Sequence, residues 1–207
     1  MQRLVRPAWM CALGLSLGAA LITLSACSNP TRGWHGAPLP DDFPALQFEL
    51  HTQADQTLTE RDFEGQVTLM FFGYLSCPDV CPATMAKLRD ALAALPDAEA
   101  QRVSVLFVSV DPARDTPERL SAYAAHFGSA FTAATQSPEQ LRQLTSRYGT
   151  SFQLEDSGGQ HYLVAHGSHI LAFDGQGRAR LMLPHDADVD ALRHDIRRLL
   201  QQSSQRA

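Results

Sequence analysis

Residues Val67 to Phe72 form an apolar run that stops at Gly73 and is followed, after Tyr74-Leu75-Ser76, by Cys77-Pro78-Asp79-Val80-Cys81-Pro82. A run that is apolar at both parities buries both of its faces, which places it at the centre of a sheet covered by helices on both sides. The glycine and the prolines then turn the chain into a tight loop, and Pro82 opens a helix, where its missing N–H has no partner to lose. Strand, exposed loop and helix therefore bring both thiols to a helix N-terminus. The unpaired amides and the macrodipole there favour thiolate, the form that ligates metals and attacks disulfides.

The remaining elements follow from period and punctuation. Met85, Leu88, Leu92 and Leu95 recur at three and four residues, a buried helical stripe that Pro96 ends. Val103 to Val110 is a second buried strand, followed by Asp111-Pro112-Ala113-Arg114-Asp115-Thr116-Pro117. Asp115, Thr116 and Pro117 read as a turn and cap for a helix with Leu120, Tyr123 and Phe127 inward. Asp111 and Arg114 stand at the C-terminal end of a central strand, the edge where open α/β sheets hold their sites. A short strand at Phe131 to Ala134 leads to the helix-start signature Ser137-Pro138-Glu139-Gln140, with Leu141, Leu144 and Tyr148 inward and Gly149 ending the helix. Ser151–Leu154 with His161–Val164, and Ser168–Phe173 with Arg178–Leu183, flank Asp156–Gly159 and Asp174–Gly177 as two hairpins. A last helix carries Val189, Leu192, Ile196 and Leu199, and Ala45 to Leu50 reads as a first strand. This order of elements predicts an α/β fold, a thioredoxin-like sandwich with a central mixed sheet and flanking helices.

The first residues are not part of that fold. Arg3 and Arg6 precede an apolar run from Trp9 to Leu24, the pattern of a secretory signal peptide. It ends in Leu24-Ser25-Ala26-Cys27, which resembles the lipobox of bacterial lipoproteins, in which cleavage precedes the cysteine and the cysteine receives acyl chains that anchor the protein to a membrane. The expected organisation is a signal peptide over 1–26, lipidated Cys27 and a flexible tether over 27–43, one domain over 44–203 and a tail over 204–207. Trp34 and His35 read as incidental residues of the tether. The anchor places the domain on the periplasmic side of a bacterial membrane, inner or outer. With 17 Lys and Arg against 22 Asp and Glu and no basic block in the domain, nucleic acid is not an expected partner.

Of the four cysteines, Cys11 leaves with the signal and Cys27 is consumed by lipid, so Cys77 and Cys81 are the remaining thiols. A pair at i and i+4 in an exposed loop closes a disulfide, binds a soft metal, or exchanges disulfides with a partner. A permanent structural bridge is disfavoured, since closing so short a loop removes little chain entropy. Two thiolates and an imidazole suit copper, as Cu(I) or Cu(II). His35 lies in the tether, and His51, His126, His185 and His194 fall at element ends or on polar helix faces. His161, His166 and His169 lie around the loop between the hairpins. In an extended chain His166 and His169 point to opposite sides, so the spacing leaves the third ligand open among the three.

Phe72-Gly73-Tyr74 leading into Cys77-Pro78-Asp79-Val80-Cys81-Pro82, then Ser109-Val110-Asp111-Pro112-Ala113-Arg114-Asp115-Thr116-Pro117, then Tyr162-Leu163-Val164-Ala165-His166 before a strand ending at Asp174, together resemble the Sco/SenC family over roughly the whole domain. That resemblance implies a thioredoxin-like fold and copper held by Cys77, Cys81 and His166. It implies a role in assembling the binuclear copper centre of cytochrome c oxidase subunit II or serving another copper acceptor. Asp79 and Asp111 are then candidates to support the ligands. The family often has Asp-His-Ser where this chain has Ala165-His166-Gly167, which removes an outer partner of the histidine and not a ligand. The leading expectation is a metallochaperone and not an enzyme. The alternative is a thiol-disulfide oxidoreductase that reduces an apo copper site and is itself reduced by a periplasmic thiol reductant. Against a general oxidoreductase stand the C-x-x-x-C spacing and the lack of any proline between Pro138 and Pro184. A thiol peroxidase on the same fold fits less well, because Tyr74-Leu75-Ser76 before Cys77 lacks the threonine approach of peroxiredoxins.

Overall fold

The computed structural model describes residues 33–52, 56–155 and 163–204, and for residues 154, 155, 163, 165 and 166 the description is of the backbone. The expected signal peptide, Cys27, the turn Asp156–Gly159 and His161 lie outside the described residues. In chain order the elements are β1 (Ala37–Pro38), β2 (Glu49–His51), β3 (Thr57–Thr59), β4 (Val67–Gly73), α1 (Val80–Ala93), α2 (Asp97–Ala100), β5 (Val103–Ser109), α3 (Pro117–Phe127), β6 (Phe131–Ala134), α4 (Pro138–Arg147), β7 (Phe152–Glu155), β8 (Leu163–His166), β9 (Ile170–Phe173), β10 (Ala179–Leu183) and α5 (Val189–Ser204).

Six strands form one mixed sheet in the order β1-β10-β9-β4-β5-β6. β4 lies inside it, parallel to β5 with Phe71 opposite Phe107, and antiparallel to β9 with Phe71 opposite Ile170. Its double-sided apolarity has a direct consequence. Val67, Leu69 and Phe71 enter the core under α1, α3 and α5, while Met70 and Phe72 enter a second core with Leu141, Leu144, Tyr148 and Val164. The expected hairpins form as β9 with β10 and as β7 with β8, the latter a separate two-stranded unit with Phe152 opposite His166. Thr116 and Ser137 cap α3 and α4, each side chain accepting a backbone N–H three residues on. The Tyr148 hydroxyl, fully buried, accepts the Gln47 N–H at 2.9 Å and donates to Ala45 O at 3.0 Å, tying the segment before β2 to the end of α4.

The expected first strand Ala45–Leu50 forms only over Glu49–His51, paired with β3 outside the main sheet, and two further sequence expectations change. First, α1 begins at Val80, two residues before Pro82, so Pro82 still stands in the first turn, where its N–H is not needed. Cys81 is thereby drawn onto the inward stripe with Met85, Leu88 and Leu92. Second, the stretch expected to be a free tether is docked from Gly33 onward. The buried carboxylate of Asp195 on α5 accepts the Gly36 N–H at 2.8 Å and the His35 N–H at 3.1 Å. Arg198 lies over the Trp34 ring at 4.5 Å and donates to Gly33 O at 2.8 Å, and β1 then pairs with β10. A Cβ at Gly36 would stand 2.5 Å from Leu183 Cδ2, so the close approach requires glycine there. Asp195→Ala leaves two buried-side amides without an acceptor and is expected to cost about 3 kcal/mol, at 1–3 kcal/mol for each orphaned group. Urea unfolding of the variant, read as a fall in midpoint, checks this.

Candidate metal centre

The end of β4 cannot carry a side chain. A Cβ at Gly73 would lie 2.6 Å from Phe107 Cε2 and 2.9 Å from Cys81 Sγ, so a glycine there lets the Cys81 sulfur pack directly on the strand. Beyond it the loop turns back, Cys77 N–H donating to Tyr74 O at 3.2 Å. Cys77 is half-buried and Cys81 fully buried, and neither is in a disulfide. The Cys81 N–H donates to Cys77 Sγ at 3.5 Å. The pair is thus adjacent, one sulfur reachable from solvent and one behind it.

A helix N-terminus alone favours thiolate at both cysteines, but burial reverses this at Cys81. Loss of hydration pushes its thiol far above the ordinary range, opposed by a hydrogen bond from the Tyr74 backbone. Any cation that displaces the proton from Cys81 must supply the charge that water cannot.

The loop between β5 and α3 holds the cysteine loop from below. Val110 N–H donates to Gly73 O at 2.9 Å. Asp115, expected to be part of a cap, is fully buried, and its Oδ2 accepts the Leu75 N–H at 2.9 Å and the Ser109 hydroxyl at 2.6 Å. Its Oδ1 is buried without a hydrogen-bond partner. The buried Tyr123 hydroxyl is also unpartnered, and its acid form is favoured first by burial and then by the neighbouring Cys81, Cys77 and Asp115. Asp111 is buried and ion-paired with Arg114, whose guanidinium lies 5.8 Å from the centre of the Tyr74 ring. Tyr74 in turn carries a hydrogen bond between its hydroxyl and Cys77 and another to the backbone of Val164 in β8. This contact sets the β7–β8 unit beside the cysteine loop. Asp79 is exposed at the N-cap of α1 and makes no side-chain capping bond.

His166 is the last residue of β8, two positions beyond Val164. Residues 167–169 are not in a strand, so the parity argument separating His166 from His169 has no strand to run along. His169 is half-buried, its Nε2 lacks a hydrogen-bond partner, and burial lowers its affinity for a proton. A Cβ at Gly167 would press on the Thr150 hydroxyl and the His169 ring. Of the other histidines, His51 ends β2, His126 stands edge-on to Phe127 near the end of α3, and His35, before β1, meets His194 of α5 edge to face at 5.0 Å. Among the described residues no three His, Cys, Asp or Glu side chains are grouped to hold a metal ion. Tyr74, Asp115 and Tyr123 are the site residues that the sequence did not single out.

Burial holds the Asp115 carboxyl above the usual carboxylate range, against its bonds to Ser109 and Leu75. The folded protein therefore keeps a proton that the unfolded chain releases near pH ~4. The stability linked to this proton is fully present below about pH 4 and is lost as pH rises through the raised value. Asp115→Asn is expected to flatten that decline, and urea midpoints of both proteins measured across the acid range check it.

The family model described as SCO1/SenC matches residues 40–201. An SCO2-like protein of Rickettsia prowazekii is 31% identical over 177 residues, 81% of this chain and 83% of that protein. The solution structure of apo Sco1 from Thermus thermophilus superposes with a TM-score of 0.73 at 34% identity, covering 81% of this chain and 97% of the other. The structure of ScoI from Bradyrhizobium japonicum with copper bound gives a TM-score of 0.67 at 27% identity, covering 80% and 99%. These likenesses make the mixed sheet and its flanking helices a thioredoxin-like fold of the Sco type.

Proposed function

The chain belongs to the SCO1/SenC family, and from that membership and the adjacent, reduced Cys77 and Cys81 we propose that it is a copper metallochaperone. The Cys81 N–H donating to Cys77 Sγ at 3.5 Å, with Cys81 fully buried behind it, is the observation that carries the reading. Two neighbouring sulfurs, one buried among apolar side chains and one reachable, fit a soft cation of low coordination number. His166 is the third ligand in this reading, supported by its place two residues beyond Val164, whose backbone is bonded to the Tyr74 hydroxyl. The half-exposed Cys77 is the point at which an incoming acceptor sulfur meets the cargo, so transfer proceeds by stepwise ligand exchange. The acceptor is the binuclear copper site of cytochrome c oxidase subunit II or a site of the same chemistry. Asp111, through Arg114 and Tyr74, and Asp115, through Leu75, hold the loop in place.

The same pair supports disulfide exchange. Oxidised, Cys77 and Cys81 do not bind copper, and a thiol reductant has to return them to the dithiol first. Cys27 carries the lipid in this reading, with the domain on the periplasmic side of the membrane; among the described residues no helix is long and apolar enough to cross one. The test is transfer: the Cu(I)-loaded protein mixed with the reduced apo copper domain of subunit II should hand over its copper without free ion, as read by a competing chelator. Copper that appears in the chelator before the acceptor would reject the chaperone reading. Acceptor cysteines that are reduced with no copper moved would favour the reductase.

A further inference from the structure

We propose that the exposed face of α5, together with Trp34, docks on the anionic phospholipid headgroups of the membrane that holds the protein. The proposal rests on the reading of Cys27 as the lipidated residue. Its starting point is the path of the chain. Because Asp195 and Arg198 clamp residues Gly33 to Gly36, the chain leaves the domain from the outer side of α5 and nowhere else. Gly33 is six residues from Cys27, which at the full stretch of a polypeptide spans only about 20 Å. A domain of this size has a radius of gyration of about 15 Å. So short a lead allows the side bearing α5 to meet the bilayer and keeps the opposite side away from it.

The chemistry of that side matches. Inward positions of α5 are Ala191, Leu192, Asp195, Ile196, Leu199, Leu200 and Ser203, which turns Arg193, His194, Arg197, Arg198 and Gln201 outward. Those five residues line one surface depression with no carboxylate among them. Arg193 pairs with Asp190 and Arg197 with Glu99, each at 2.8 Å. These are exposed pairs that hold their partners weakly, and a guanidinium has donors left for a phosphate. Elsewhere the balance is the reverse. Once Arg3 and Arg6 leave with the signal, 15 basic residues face 22 acidic ones, and Arg193, Arg197 and Arg198 are three of those 15. An anionic surface therefore favours this face over the acidic remainder of the domain. Trp34, half-buried beneath Arg198, adds an amphipathic ring of the kind that settles at headgroup level.

The outcome is a fixed orientation. β10 runs parallel to β4, so α5 begins at the cysteine end of the sheet and runs back along it. With α5 against the membrane, the cysteine loop opens sideways along the bilayer surface and not away from it.

Trp34 supplies the probe, because Trp9 leaves with the signal and no other tryptophan exists. The processed protein, its lipid at Cys27 checked by mass, is placed in vesicles of brominated phosphatidylcholine with or without phosphatidylglycerol. The expected result is quenching of Trp34 that requires phosphatidylglycerol, is reversed by high salt, and reflects a docking constant that falls about fivefold for each arginine removed in Arg193→Gln and Arg193→Gln/Arg197→Gln. Emission of the variants without vesicles should match wild type, showing the Gly33–Gly36 clamp intact. Absence of quenching, quenching equal in both lipids, or quenching indifferent to the substitutions overturns the proposal. A protein whose mass shows no lipid on Cys27 refutes the anchor instead, and the orientation falls with it.

Discussion

Cys77→Ser and Cys81→Ser should each reduce Cu(I) affinity by far more than the roughly 100-fold that loss of an outer partner of a ligand costs. The physical reason is that the reading gives the cation two sulfurs and one nitrogen, and a hydroxyl replaces neither sulfur as a soft donor. The two substitutions should differ in everything else. Cys81 is fully buried between Gly73, Phe107 and the stripe of α1, so Cys81→Ser puts a hydroxyl into an apolar contact and should also lower stability, by about 1–2 kcal/mol. Cys77 is half-buried and should cost little. Alkylation should separate them too, with Cys77 modified rapidly and Cys81 only slowly, since its thiol is both hidden and held protonated by burial. Chelator competition, urea unfolding and mass-resolved alkylation measure these effects. Equal alkylation rates at both cysteines would be inconsistent with the geometry.

His166→Ala should divide the two chemistries of the site. Copper affinity should fall by more than the roughly 100-fold that loss of an outer partner of a ligand costs, since a ligand itself is removed. The disulfide potential of Cys77 and Cys81 should change little, because the thiol environment is built by Tyr74, Gly73 and the β5–α3 loop. The measurement is a pair of titrations, Cu(I) against a chelator and dithiol against a redox buffer. Loss of both functions together would remove His166 from the ligand set and assign it a structural part at the end of β8. His169→Ala is the comparison, since the reading assigns the ligand to His166, and its copper affinity should stay near wild type.

How much of this was legible in the sequence follows the range of the interactions. The double-sided run at Val67–Phe72 and the three-four stripes of α1 and α5 are local patterns, and they appear as expected. Cys81 was also legible in principle, lying four residues before Met85 and so on the same stripe, but Pro82 drew the helix start two residues too late. Asp115 was hidden by a sound local argument: Thr116 caps α3, and the neighbouring carboxylate serves Leu75, 40 residues earlier in the chain. Trp34 and His35 looked incidental because their partner Asp195 lies some 160 residues away, and no periodicity reports such a contact. The third ligand was not legible from spacing at all; only the resemblance to a family singled out His166.

The central claim is that Cys77, Cys81 and His166 together hold one copper ion. Anaerobic titration of the reduced protein with Cu(I), followed by X-ray absorption at the copper edge, tests it most directly. The account predicts one tightly bound copper per chain with two sulfur neighbours and one nitrogen, the nitrogen absent in His166→Ala. A protein that binds no copper tightly while its cysteines still cycle between dithiol and disulfide would contradict it.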